Sequence, residues 1–104
     1  MIQAYPLNVH MVVSRAAELI DAEVDGEIVA LNIGKGQCYG LNKVGSRIWQ
    51  LLEQPVRIAD MCATLIREYE IDKAVCERDV LDLLEDLRAE DMIIVSEEAQ
   101  TALP

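Results

Sequence analysis

The chain has 104 residues, 52% of them hydrophobic and 27% charged, so it is long enough for one domain and too apolar to be disordered. Its 19 acidic and 9 basic residues give a formal net charge of −10. Such an excess of acid opposes binding to phosphate backbones, and no stretch approaches the roughly 18 apolar residues of a membrane span. We therefore expect neither nucleic acid nor membrane among its partners.

The three cysteines, Cys38, Cys62 and Cys76, are too far apart to form a CxxC ligand pair. The first residues lack the basic and apolar segments of a signal peptide. Both features are typical of a protein whose cysteines are reduced. We therefore expect a cytoplasmic protein.

The first 41 residues have the pattern of strands and turns. Residues 9–13 are a short apolar run, which predicts an edge strand or a segment lying on the body of the domain. Asp25-Gly26 separates two apolar stretches and is a strong signal for a two-residue hairpin turn. The returning strand covers residues 27–33, and a second, glycine-containing turn leads to a strand at residues 37–41. The pattern predicts a meander of three antiparallel strands.

After residue 41 the hydrophobic period becomes that of helices. Asn42 is a good N-cap for a first helix, which ends before Pro55. A second helix begins near Ile58 and ends near Glu70. Asp72 caps a third helix, which covers roughly residues 73–90. The three apolar stripes indicate a compact helical unit packed against the sheet.

The order of the elements predicts an α+β fold, in which a three-stranded antiparallel sheet is followed by a three-helix unit. This arrangement is similar to a winged helix-turn-helix. A last apolar run at residues 92–95 predicts a short extended segment that returns to the body. We expect residues 1–95 to form a single domain and residues 96–104 to form a flexible tail.

Few side chains could carry catalysis, and none has supporting neighbours. His10 is the only histidine, and we expect it to be structural, on an edge strand. Cys62 and Cys76 lie on the apolar stripes of their helices, which predicts burial. Cys38 should be the accessible cysteine, but nothing near it indicates an activated thiol. The sequence therefore predicts no enzyme, no catalytic residue, no metal site and no cofactor.

The third helix carries Asp79, Asp82 and Asp86, whose spacing of three and four residues places them on one face. Such a face is either a solvated surface or the charged wall of a groove. The third strand has an open edge, whose unpaired N–H and C=O groups can accept an extended peptide by strand addition. Surface shape is thus the expected source of function.

Three segments carry a resemblance to a known family. A Tyr-x-Leu-Asn-x-x-Gly segment begins at Tyr39, an Ile-Trp-x-Leu-Leu segment at Ile48, and an Asp-Val-x-x-Leu-Leu-x-x-Leu helix at Asp79. Together, over residues 20–95, they resemble the PqqD-like domains, which recognise precursor peptides in pathways that modify ribosomally made peptides. The most similar type is the stand-alone recognition protein of lasso-peptide clusters. Two positions depart from the family pattern: Arg57 replaces a Ser or Thr cap, and Asp91 replaces a glycine.

The resemblance implies a non-catalytic protein that binds the leader segment of a precursor peptide. The leader would add antiparallel to the third strand, in a cleft against the third helix. A modifying enzyme, such as a leader peptidase or a radical enzyme, would be the second partner. The candidate peptide-binding residues are Gln37, Cys38, Tyr39, Gly40, Leu41, Asp79, Asp82, Leu83 and Asp86. The spacing of Leu83 also allows it to belong wholly to the core stripe.

Two alternatives remain open at this point. A winged-helix DNA-binding module would use the third helix for recognition, but residues 73–90 carry six acids and three bases, the wrong sign for reading guanine and phosphate. A structural homodimer would pair the open sheet edges of two copies.

Overall fold

The computed structural model describes residues 6–96 of the chain. In chain order its elements are β1 (Val12–Arg15), β2 (Leu19–Val24), β3 (Glu27–Asn32), β4 (Gln37–Gly40), α1 (Lys43–Leu51), β5 (Val56–Arg57), α2 (Ile58–Tyr69), α3 (Lys73–Ala89) and β6 (Ile93–Ser96). The predicted α+β fold, with a three-stranded antiparallel sheet followed by three helices, is confirmed. The structure adds a second small sheet.

The first sheet has the strand order β2-β3-β4 and is antiparallel throughout. We refer to it as the meander sheet. Its hairpin turn has positive φ at both central residues, 55° at Asp25 and 83° at Gly26, as a tight two-residue turn requires. The strand predicted at residues 37–41 is β4, and it ends at Gly40 rather than at Leu41. The Leu41 N–H still donates to the Ile28 carbonyl at 2.8 Å.

The second sheet has the order β5-β1-β6, and we refer to it as the closing sheet. Of the two alternatives for residues 9–13, the edge strand is wrong, because β1 begins at Val12 and is the central strand. The other alternative, a segment lying on the body of the domain, fits Val9 and Met11, which pack against the core. Val13 pairs with Val56 on one side and with Val95 on the other. Both partners are distant in sequence, so no local pattern reveals them.

Two expectations at the ends of this sheet also need correction. His10 is exposed in a turn ahead of β1 and does not lie on a strand. Ser96 is the last residue of β6, so it does not belong to a flexible tail. The remaining residues of the expected tail, 97–104, lie outside the described residues.

The helix boundaries follow from identifiable local interactions. The Asn42 side chain accepts the Gly45 N–H at 2.8 Å, which caps α1. Arg57 makes no side-chain capping bond at the start of α2. The turn after α3 contains Asp91 at a φ of 60°, so this aspartate adopts the left-handed conformation that glycine takes most readily.

The core lies between the helices and one face of the meander sheet. Ile28 and Ala30 of β3 are buried on that face. The largest fully buried side chains are Trp49, Leu52, Ile58, Met61, Leu65, Leu84, Leu87 and Met92. Within residues 6–96, no helix has the length and apolar character needed to cross a membrane.

A polar junction around Trp49 connects the two sheets to α1. The indole N–H of Trp49 donates to Asp21 Oδ2 of β2 at 2.8 Å. The Arg15 guanidinium, from β1, lies 4.6 Å from the centre of the Trp49 ring and donates to the Trp49 carbonyl at 2.7 Å. Arg15 also pairs with Asp21 at 3.3 Å. The meander sheet and the closing sheet are thereby held in a fixed relation to each other.

Candidate functional site

A groove of about 590 Å³ lies between the edge strand β4 and α3. Lys35, just before β4, pairs with Asp91, just after α3, and the Tyr39 hydroxyl donates to Asp86 at 3.4 Å. Residue numbers therefore rise along β4 as they fall along α3, so the two walls run in opposite directions.

The groove brings together most of the residues predicted from the sequence. The predicted residues in its lining are Tyr39, Gly40, Leu41, Asp79, Asp82, Leu83 and Asp86. Gln37 and Cys38 are exposed on β4 but lie outside the lining. Leu83 is half-buried and lines the groove, so it does not belong wholly to the core.

The backbone of β4 alternates between bonding to β3 and facing the open edge. The Leu41 N–H donates to the Ile28 carbonyl, so these two residues form a hydrogen-bonded pair. Hydrogen-bonded pairs alternate along an antiparallel ladder, so the next two are Tyr39 with Ala30 and Gln37 with Asn32. The intervening residues, Cys38 and Gly40, therefore direct their N–H and C=O groups away from β3. These are the groups that an added strand would engage.

The α3 wall of the groove is acidic. Asp79, Asp82 and Asp86 are all exposed, and Asp79 has Arg78 as a neighbour at 3.5 Å. Tyr39 is held against this wall. Burial raises the pKa of the Tyr39 hydroxyl, and the charge of Asp86 and its hydrogen bond act in the same direction. The tyrosine therefore stays a neutral donor to Asp86.

The floor of the groove is apolar, and its residues are not among the site residues predicted from the sequence. It is formed by side chains of all three helices and of the α2–α3 connection: Val44, Ile48, Leu65, Ile71, Cys76 and Val80. Most of these residues belong to the helical stripes assigned to the core. Their spacing identifies the face of each helix, but it does not reveal where the packing of the helices leaves a gap.

The buried cysteines are poor candidates for chemistry. The Cys76 thiol, on the groove floor, donates to the Cys62 carbonyl with an S···O distance of 3.9 Å. Burial raises the pKa of Cys62 to about 12, and burial also raises the pKa of Cys76. Both thiols are therefore protonated at neutral pH. Among the described residues, no group of His, Cys, Asp and Glu side chains could hold a metal ion.

Comparison with known proteins identifies two similarities, one to a family and one to a solved structure. The family model described as coenzyme PQQ synthesis protein D (PqqD) matches residues 27–93, from β3 to the start of β6. A solved structure, "TbiB1 in Complex with the TbiA(beta) Leader Peptide", is 34% identical to this chain with a TM-score of 0.72. The match covers 77% of this chain and 93% of that chain. No curated protein sequence matches the chain.

Proposed function

The chain belongs to the PqqD family, and we propose on this basis that it binds the leader segment of a ribosomally made precursor peptide and presents it to a modifying enzyme. Binding is by strand addition to β4. The protein itself contributes recognition and no catalysis, in accord with its protonated buried thiols and its lone, exposed histidine.

One observation carries most of the proposal. The open edge of β4 borders a groove whose opposite wall is α3, so backbone pairing and side-chain contact are available to the same extended peptide. The similarity to TbiB1, whose structure was solved in complex with a leader peptide, supports leader binding by this chain.

The lining of the groove favours some leader side chains over others. Alternate side chains of an added strand point to one face, so every second leader residue would enter the groove. The floor, which includes Ile48 and Val80, favours aliphatic or aromatic side chains there. The wall of Asp79, Asp82 and Asp86 favours a Lys or Arg nearby. We expect micromolar or tighter binding, and weaker binding after substitution of Tyr39 or Asp82.

The expected antiparallel addition to β4 also implies a direction for the leader. A leader antiparallel to β4 runs parallel to α3, because the two walls of the groove run in opposite directions. It would enter near Leu41 and Asp79 and leave near Lys35 and Asp91. The part of the precursor that is modified would therefore emerge beside the turn between β3 and β4.

A proline substitution tests strand addition. Gly40→Pro removes an N–H that faces the open edge and leaves the bonds to β3 intact. A Cβ atom added at Gly40 would meet no atom within 4 Å outside the two neighbouring residues. We expect this variant to bind a synthetic leader, taken from the precursor encoded beside this chain, at least about tenfold more weakly in isothermal titration calorimetry.

Glu23→Pro is the matched control, because Glu23 lies on β2, the opposite edge of the same sheet. It should leave leader affinity unchanged. Absence of leader binding by the unmodified protein would contradict the proposed function. Equal weakening by the two proline substitutions would contradict strand addition at β4 while leaving leader binding intact.

The two alternatives predict different results. Use of α3 for DNA recognition would require phosphate and guanine contacts from a helix whose exposed face presents Asp79, Asp82 and Asp86. A gel shift that tightens at low salt would favour that function. A homodimer that pairs β4 edges would appear in light scattering as a dimer that leader peptide dissociates.

A further inference from the structure

The outer face of the meander sheet, opposite the helices, is apolar and exposed. Side chains alternate between the two faces of a strand, and Ile28 and Ala30 are buried on the helix side. The alternate positions therefore lie on the outer face: Ile20, Ala22 and Val24 of β2, Val29 and Leu31 of β3, and Cys38 of β4. Ile20 is 54% exposed and Val24 is 62% exposed.

This distribution is the reverse of the usual one for a sheet with one solvated face. On β2 the outward positions are all apolar, whereas Asp21 and Glu23 point to the helix side. Ile33, just past β3, adds another exposed side chain at 59%. A contiguous apolar face of this kind is typical of a surface that binds another protein.

The charges around the face indicate which protein would cover it. Asp25 and Glu27 lie at one end and Glu18 at the other, and within residues 6–96 none of their carboxylates makes a salt bridge. Two cations lie at the ends of the face: Lys35, at the Glu18 end, is paired with Asp91, and Lys43, at the Asp25 end, donates to the Asp25 carbonyl at 3.3 Å. The three carboxylates still outnumber them. A second copy would bring further acid, from a chain of net charge −10, against this rim. A partner with a cationic rim complements it.

The face is also continuous with the proposed leader site. A strand added to β4 extends the meander sheet by one strand, so its outward side chains would lie beside Cys38 and Gly40. The leader would leave the groove near Lys35. Ile33, Leu31 and Ile20 lie at that same end of the sheet. An enzyme acting on the emerging precursor would be adjacent to this apolar surface.

We infer that the outer face of the meander sheet is the docking surface for the enzyme that processes the leader-bound precursor. The enzyme covers Ile20, Leu31 and Ile33 with an apolar patch that is bordered by Lys or Arg. This inference rests on the proposed function, because the leader brings the enzyme's substrate to this end of the sheet.

The double substitution of Ile20→Ser and Leu31→Ser tests the surface. Both side chains are solvent-exposed, so the fold should be retained, as circular dichroism and urea denaturation would verify. Ile94→Ser is the matched control, because Ile94 is 53% exposed but lies on the closing sheet. The probes are the synthetic leader and the purified modifying enzyme encoded beside this chain.

We expect the double variant to bind the leader as the unmodified protein does, and to bind the enzyme at least about tenfold more weakly. Ile94→Ser should change neither affinity. Undiminished enzyme binding by the double variant would overturn the inference while leaving the proposed function intact. Failure of the unmodified protein to bind the leader would instead overturn the proposed function.

Thiol labelling gives an independent readout of the same surface. Ala22→Cys, made together with Cys38→Ser, places an exposed thiol on the outer face at β2, two strands away from the leader edge. Enzyme should slow its reaction with a maleimide, and leader alone should not.

Light scattering completes the test. A dimer that the double serine variant dissociates would mean that a second copy covers the face, and would overturn the inference.

Discussion

The two sheets of this small protein differ in what covers them. The closing sheet is assembled from segments far apart in the chain, and its central residue Val13 is fully buried. The meander sheet is built from consecutive strands, and it has an open edge at β4 and an exposed apolar outer face. The closing sheet therefore stabilises the fold, while the meander sheet supplies the surfaces available for recognition.

The difference is also one of sequence separation. A meander forms from neighbouring segments and needs only short turns, so the pairing of its strands depends mainly on local sequence. The closing sheet connects the first strand to the last, and it can form only when the helices between them are packed. Substitutions in the two sheets should consequently have separable effects, one on stability and the other on binding.

The largest expected effect on stability comes from Met92, which is fully buried next to β6 and whose carbonyl accepts the Ala16 N–H at 3.0 Å. Met92→Ala should lower the free energy of unfolding by about 2–5 kcal/mol, because it leaves a cavity in the core. Ile20→Ala on the meander sheet should change it by no more than about 0.5 kcal/mol. Urea denaturation followed by circular dichroism measures both. Similar losses in the two variants would contradict the division between the sheets.

An intermediate effect is expected at the junction between the sheets. Asp21→Ala removes the acceptor of the Trp49 indole N–H and the partner of Arg15. The free energy of unfolding should fall by about 1–2 kcal/mol, because the donor of a fully buried tryptophan loses its partner. Glu23→Ala, two residues along the same strand face, is the control and should be nearly neutral. A neutral Asp21→Ala would mean that the sheets are held together by packing alone.

The smallest effect concerns Tyr39 and its dependence on pH. Its pKa is raised above 10.0 in the folded protein, so its contribution to stability is fully present below pH 10 and is lost as the pH rises through the folded pKa. The unmodified protein should therefore lose more stability between pH 9 and pH 11 than Tyr39→Phe does, by urea denaturation. Tyr69→Phe, at an exposed tyrosine, is the control. If the free energy of unfolding varies with pH in the same way in the unmodified protein and in Tyr39→Phe, Tyr39 is not the source of the stability lost at high pH.

Local signals in the sequence predict the meander sheet, the three helices and both walls of the groove. Asp25-Gly26 and Asn42 act through their immediate neighbours, as a turn and a cap, and the structure places them in these roles. The prediction puts Tyr39 and Asp86 on opposite walls of the groove, and the Tyr39 hydroxyl donates to Asp86 Oδ2 at 3.4 Å. The resemblance to PqqD-like domains implies that the third predicted strand lies across a cleft from the third helix. The hydrophobic periodicity of each element does not show this arrangement.

The features that the sequence does not reveal are those formed by distant segments. The pairing of Val13 with Val56 and Val95 depends on how the whole chain folds. The local pattern of residues 9–13 therefore does not show that Val13 lies in a central strand. The sequence does not reveal the floor of the groove either, because Ile48 and Val80 have the same spacing as residues that are buried in the core. Only the packing of the helices decides which members of a stripe border a gap.

The central claim is that a leader peptide becomes the next strand beside β4, and amide hydrogen exchange measured by NMR tests it most directly. Saturating leader should slow exchange at the outward N–H groups of Cys38 and Gly40. The outward amides of Asp21 and Glu23, on the opposite edge of the same sheet, should exchange at unchanged rates. Unchanged exchange at Cys38 and Gly40 with leader bound, or protection at β2 instead, would contradict the account.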